Sequence, residues 1–307
     1  MKKFEYVSYL DINLEDGKGS KLLYANSING PGHQIAVTVT FMVTDANYNQ
    51  VILTQSEMEQ CVRIADYHTG EYIDNNPYPA EDTWATSLSD NGYVTSGSLQ
   101  KAESVNAVHQ SITYYVCCNG YNTISRTFCA MLTPDNGTSI VTSGKGTEFD
   151  SGVTLTPLPG NFYDCSQLNW TRVDTENTKI GNHTIDLDSY YVSIPEGAFK
   201  GDDLPKSPDC FAHVKADKNH DPLYQMAFSV GDAGKYDFAL NDGTIVPIPY
   251  NDRAGQFCLV RMTAKNDTIP VQDIFNLNVT LYDQYKNPAH LLFTPADDNN
   301  TISLGNY

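Results

Sequence analysis

The chain is short of positive charge. Only 19 Lys and Arg stand against 37 Asp and Glu, a formal charge of −18. A surface of that sign repels phosphate backbones and anionic lipid, so neither nucleic acid nor a charged membrane surface is expected as a partner. Long apolar runs are also missing. None approaches the roughly 18 residues of a spanning helix, and no transmembrane segment is expected. The N-terminal MKKFEYVSYLDINLED has no apolar core, because Glu5 and Asp11 interrupt it. A conventional secretory signal is therefore not expected, and the protein is read as cytoplasmic, or as exported without such a signal.

Motifs that carry chemistry are equally scarce. No G-x-S-x-G elbow occurs, and no G-x-G-x-x-G follows a strand pattern. SGKGT at 143–147 ends like a phosphate loop, but Ser139 stands where a glycine belongs, and Gly146 where Ser or Thr should follow Lys145. Asp11-x-Asn13-x-Glu15 alternates oxygen ligands, yet Asp16 and Leu22 occupy the EF-hand positions that require Gly and Glu. Residues 217–221 and 297–300 are oxygen-rich and read as solvated turns. Cys210 and His213, near His220 and Asp221, would point to opposite faces of one strand unless a bulge intervened, which counts against a zinc site. The seven cysteines, with Cys117 beside Cys118, form no spaced framework. Reduced thiols packed as small hydrophobes are expected. Six Asn-x-Ser/Thr sites read as accidents of an Asn/Thr-rich composition. We expect no catalytic residue, no metal ligand and no cofactor, and so no enzyme, although an enzyme on a β-sandwich scaffold stays open.

What the sequence has in plenty is β pattern. Residues 35–53 organise the reading. Val37, Val39, Phe41 and Val43 alternate with Thr38, Thr40, Met42 and Thr44, a period of two that sends the sets to opposite faces of a strand. Asp45-Ala-Asn-Tyr-Asn49 supplies turn chemistry, and Val51, Ile52 and Leu53 read as the return strand. The pattern recurs late in the chain: Leu277, Val279 and Leu281 alternate with Asn278, Thr280 and Tyr282, Asp283 to Asn287 follow, then Leu291, Leu292 and Phe293. Thr54-Gln-Ser-Glu57 has the spacing of a capping box and predicts one short helix to about Gln60. Asn119-Gly120 between residues 111–118 and 123–132 predicts a second hairpin. Further strands are expected over 153–158, 190–194, 211–215, 225–230, 236–240, 244–248 and 257–262. The expected fold is all-β: two antiparallel β-sandwich (Ig-like) domains with very little helix, 1–145 and 146–307, divided in the polar stretch near residue 145.

The two "alternating strand, Asp-x-x-x-Asn, apolar strand" units resemble bacterial Ig-like modules, whose strands end in an Asp-containing turn before Asn-Pro. Asp283, Asn287 and Pro288 match that pattern; Asp45 and Asn49 match it, with Gln50 in place of the proline. The resemblance implies a β-sandwich used for adhesion, spacing or assembly, and it carries over no catalytic residue. Leu23-Tyr-Ala-Asn26, Asp66-Tyr67 and Thr69-Gly-Glu71 resemble stretches of uncharacterised bacterial proteins and bring no function with them.

Tyrosine is the abundant aromatic, 20 of them against 12 Phe and 2 Trp. Tyr48, Tyr67, Tyr72, Tyr78, Tyr121, Tyr163, Tyr250 and Tyr285 stand beside Asn, Asp or Pro in predicted loops. Tyrosine gives contact area at low entropic cost plus one polar handle, which suits recognition loops. The expected function is that of a non-enzymatic recognition or assembly protein that binds itself or another protein through strand edges and these loops. The alternative is a β-rich toxin or lectin-like protein that binds surface glycans.

Overall fold

The computed structural model describes residues 4–14, 20–26, 32–76, 83–95, 108–120, 124–135, 137–144, 148–174, 177–214, 221–268, 273–296 and 300–307. They fall into two compact units, Met1–Asn161 and Phe162–Tyr307.

The first unit contains β1 (Tyr6–Leu14), β2 (Ser20–Ala25), β3 (Gln34–Thr44), β4 (Gln50–Val51), α1 (Gln55–Cys61), β5 (Val62–Asp66), β6 (Trp84–Ser87), β7 (Val94–Thr95), β8 (Gln110–Cys118), β9 (Arg126–Leu132), β10 (Ile140–Val141) and β11 (Val153–Pro159). One sheet runs β1-β3-β8-β6, with β4 and β7 also on β3. The other runs β10-β9-β11-β2, with β5 on β9. Pairing is antiparallel apart from β2 with β11 and β3 with β7. Inner faces of both sheets share one apolar core. Trp84 packs edge-on to Phe128 at 5.0 Å, and the buried Tyr114 hydroxyl donates to the Val62 carbonyl at 2.8 Å, tying β8 of one sheet to β5 of the other.

β3 follows its period of two: Val37, Val39 and Phe41 are 0% exposed, whereas Thr38, Thr40 and Met42 are half-buried. The return strand is only Gln50–Val51. Beyond it the Gln110 side chain accepts from Leu53 N at 2.9 Å and donates to Leu53 O at 2.7 Å, so an amide side chain replaces a ladder partner. α1 begins at the expected capping box, with Thr54 and Glu57 bonded reciprocally.

Two expectations need correction. Residues on either side of Asn119-Gly120 form strands but no hairpin. β8 lies between β3 and β6, while β9 pairs with β5, β10 and β11 in the opposite sheet. The edges of both strands are taken by non-local partners, and that outweighs the local turn preference; residues 121–123 lie outside the described ones. The division of the chain comes after β11 rather than near residue 145, because β11 completes the sheet of β2 and β9; residues 145–147 lie outside the described ones.

The second unit contains β12 (Asn169–Asp174), β13 (Thr178–Ile180), β14 (His183–Ser193), β15 (Phe199–Asp202), β16 (Asp209–Val214), β17 (Leu223–Phe228), β18 (Gly234–Ala239), β19 (Ile245–Tyr250), β20 (Phe257–Lys265), β21 (Asp273–Ile274), β22 (Leu277–Asp283), β23 (Pro288–Ala296) and β24 (Thr301–Asn306). A central sheet runs β12-β14-β20-β17-β16-β21, with β13 on β14, and a second runs β15-β22-β23-β24. β18 and β19 form a separate two-stranded ribbon. One face of the central sheet packs on the second sheet through Tyr190, Leu259 and Phe293 among others. Its other face packs under the ribbon through Met226, Val260, Phe238 and Ile248. Covered on both sides, β17 is buried at every position, so its sequence LYQMAF does not alternate.

The two Asp-x-x-x-Asn turns have the same hydrogen bonds. Asp45 Oδ1 accepts from the Asn47 and Asn49 amides at 2.8 and 2.9 Å, and Asp283 Oδ1 from those of Tyr285 and Asn287, both at 2.8 Å. Each ends with a non-glycine residue in the left-handed region, Tyr48 (φ 63°) and Lys286 (φ 61°), giving the three-residue loop with a bulge. They differ in burial. Asp283 and Asn287 are each 1% exposed, and Asp283 Oδ2 also accepts from Asn287 Nδ2 at 3.0 Å and the Tyr163 hydroxyl at 2.9 Å. Asp283→Ala leaves those donors without an acceptor and should cost about 2–3 kcal/mol. Asp45→Ala, where water can replace the lost acceptor, should cost clearly less. Urea unfolding of both variants checks this, and equal losses would show that burial of the second turn is irrelevant.

Candidate functional site

The eight tyrosines do not converge. Tyr163 and Tyr285 belong to the Asp283 turn, where the Tyr163 hydroxyl is a structural donor. Tyr250 stacks on Phe228 at 4.5 Å and 6° inside the second unit. The Tyr67 hydroxyl donates to Asp150 at 2.7 Å, and Tyr72, 60% exposed, bridges to Ala65 beside it. Tyr78 and Tyr121 lie outside the described residues. Tyr48 is 73% exposed and stacks on Tyr6, which is 42% exposed, at 5.0 Å and 11°.

That stack marks an open side of the first sandwich. Among the described residues β1 pairs only with β3, and β10 only with β9, so each ends its sheet. At Ile12 the free side of β1 is engaged, because Ile12 N donates to Ser151 Oγ at 3.1 Å. Nearer its start, where the register shifts between Val7 and Tyr9, a groove of about 320 Å3 separates the two edges. Val7, Ile140, Val141 and Phe149 supply apolar walls, and Glu5, Tyr6 and Glu148 supply polar ones. Tyr48, and after it Glu5, raise the pKa of the Tyr6 phenol. The groove can take an extended chain: backbone groups along the strand edges, apolar contacts at its base, carboxylates at its rim. The sequence reading named only Tyr48 here. Glu5, Val7, Glu148 and Phe149 carry no local signal, because what joins them is the pairing of β1 with β3 and of β10 with β9.

Elsewhere one acidic cluster faces arginines. Asp174, Asp186 and Asp188 bring carboxylate oxygens within 4.8 Å of one another, the one three-ligand group among the described residues. Arg261 Nη1 lies 2.8 Å from Asp188 Oδ2 and 3.2 Å from Asp186 Oδ2, and Arg172 Nη2 lies 2.8 Å from Asp188 Oδ2. Two guanidiniums thus occupy the place of a cation. Residues 217–220 and 297–299 lie outside the described ones, and Asn300 accepts from Arg261 Nη2. β16 does bulge between Cys210 and Ala212, which lets Cys210 and His213 both approach the core under the ribbon, His213 against the Tyr224 ring at 5.3 Å. Five of the seven cysteines are buried.

No protein-family model and no curated protein matches the chain. Among solved structures, the C-terminal domain of the Streptococcus pyogenes antigen I/II-family protein AspA aligns over 92% of this chain and 96% of its own, at 10% identity and a TM-score of 0.17. A score that low does not establish a common fold. The chain is nearly all β, built from several sheets, with no helix among the described residues long and apolar enough to cross a membrane.

Proposed function

We propose that this is a non-enzymatic recognition or assembly protein that takes a partner polypeptide at the groove between β1 and β10. The observation that carries the reading is the juxtaposition of two sheet edges across an apolar base, with an exposed tyrosine stack beside it. The occupant is an extended segment of another protein, apolar residues flanked by Lys or Arg. Charge complementarity selects it: Glu5 and Glu148 stand on the groove, and the whole chain carries −18. The same charge opposes a second copy of this chain at neutral pH. Self-association strengthens toward the isoelectric point near 4.5, as carboxylates with a reference pKa of ~4 lose charge. The reading suits a cytoplasmic protein and one exported without a conventional signal alike.

Two measurements test it. A short Val/Ile peptide flanked by lysines should bind at least about tenfold more tightly than its Glu-flanked counterpart, with a gap that narrows in salt. Glu5→Gln with Glu148→Gln should narrow the gap several-fold, what remains being the long-range charge of the chain; an unchanged gap in that variant puts the site elsewhere. Sedimentation velocity at about pH 7.5 and about pH 5 separates the occupants: monomer at the higher pH and ordered oligomer at the lower one fit the charge argument. A stable dimer already present at the higher pH in low salt would make the second copy the occupant instead.

A further inference from the structure

Among the described residues, the ribbon β18–β19 pairs backbone to backbone only with itself, from Gly234↔Tyr250 to Ala239↔Ile245. It nevertheless packs on an apolar sheet face, so beyond its two chain connections it is fastened by side-chain packing and by hydrogen bonds that involve side chains. One end, where the chain leaves β19 for β20, is held three ways. The Tyr191 hydroxyl donates to Asp252, the Arg253 guanidinium lies 4.1 Å above the Tyr191 ring, and Asn251 Nδ2 donates to Ser229 O at 2.7 Å. The other end is the turn Leu240–Thr244, closed by its own backbone bonds. There Asn241 N reaches Asp267 Oδ1 at 3.2 Å, Asn241 Nδ2 donates to Thr268 Oγ1 at 2.9 Å, and Asp242 Oδ2 lies 2.9 Å from His183 Nε2.

His183 is 3% exposed, and its second ring nitrogen, Nδ1, lies 3.2 Å from the Lys265 carbonyl. A carboxylate and a carbonyl oxygen can only accept. Both contacts are hydrogen bonds together only when both ring nitrogens carry protons. A neutral imidazole must turn a lone pair toward one of these oxygens. We infer that the β18–β19 ribbon is a hinged cover, fixed at its Asn251–Arg253 end and latched at its turn by the imidazolium of His183 on Asp242. Loss of one proton from His183 removes the charged tie, leaves the Asn241 contacts to hold the turn, and lets that end of the ribbon lift more often from the central sheet.

The charged groups around the ring act consistently. Asp242, on the ribbon turn, raises the His183 pKa most, burial opposes it, and the Lys265 carbonyl and Asp267, which follows β20, add to the rise. Lys265 on β20 and Lys179 on the adjoining β13 carry their charge in solvent. Asp242 itself is held down to about 2, first by His183, and stays ionised throughout. With the folded pKa above the unfolded one, the latch is fully made below about 6.5 and is lost as pH rises through the folded value.

Amide hydrogen exchange of the full chain, corrected for intrinsic rates, reads the latch directly. From pH 5.5 to pH 8.5, protection of the β18 and β19 amides should fall at least about tenfold relative to central amides of β14 and β20. His183→Gln and Asp242→Asn should lower protection at both pH values and remove the step. Nitrogen shifts of the His183 ring should show both nitrogens protonated at about pH 5.5 and a midpoint above that of an ordinary histidine. A ring that titrates at or below the ordinary histidine value, a ribbon equally protected at both pH values, or a step that persists in His183→Gln would each overturn the proposal.

Discussion

Asp188→Ala should cost the second unit about 3–5 kcal/mol, a large part of the ~5–15 kcal/mol that holds a domain together. Asp188 is 0% exposed, and cross-strand register sets it opposite Arg261 on β20 and Asp174 on β12. Its Oδ2 takes a 2.8 Å contact from each of Arg172 and Arg261. Arg261 is 4% exposed, so the alanine leaves a buried guanidinium with Asp186 at 3.2 Å as its remaining carboxylate. The cost comes from the stranded charge more than from any large net worth of the intact pair. Replacing Asp188 and Arg261 together by apolar residues should therefore recover most of the loss. Each unit holds one of the two tryptophans, Trp84 in the first and Trp170 in the second. Trp170 stacks on Tyr190 at 5.1 Å, so urea unfolding followed by fluorescence in a Trp84→Phe background reports the second unit. A loss below about 1 kcal/mol would mean that the network is as weak as an exposed pair.

The first unit should lose about 3 kcal/mol of stability between pH 6.5 and pH 4, through His33. His33 is 1% exposed, and its Nδ1 accepts from Tyr24 N at 2.9 Å, which fixes the neutral ring with its proton on Nε2. Burial pushes its pKa down to about 4. A folded pKa below the unfolded one means that stability is fully present above about 6.5 and is lost as pH falls toward 4. Asp66 and Asp242, each held to about 2, do not titrate in that window. Unfolding followed through Trp84 in a Trp170→Phe background measures the slope. A flat profile across the window would show that His33 is hydrated or already charged in the fold. His183 has the opposite sign, so acidification should weaken the first unit while it tightens the ribbon of the second.

These sites differ in how much of them could be read from the chain. The faces of β3, the capping box at Thr54 and the Asp283 turn are local, set by residues within one strand or one turn of each other. Each formed where expected. The Asn119-Gly120 hairpin failed because a turn preference worth little is decided by which strands occupy the neighbouring edges. β12, β13 and β15 escaped notice, since edge strands need not alternate; the two ribbon strands were legible, but their place over the central sheet left only the non-alternating β17 as its trace. Asp188 with Arg261 is a pair made by register, and Glu5 with Glu148 and His183 with Asp242 are brought together by tertiary packing. One-dimensional spacing holds no record of them.

The parallel pairing of β2 with β11 sets a schedule for synthesis. Ser20 lies opposite Thr154 and Ala25 opposite Pro159, so the second sheet of the first unit closes only when nearly all of that unit has left the ribosome. At roughly 5–20 residues per second, β2 waits several seconds for its partner. During that interval its backbone edge is open while β1 and β3 can already pair. A nascent chain of this protein is therefore most exposed to wrong partners just before β11 emerges, and the strand that needs shielding then is the one near its beginning.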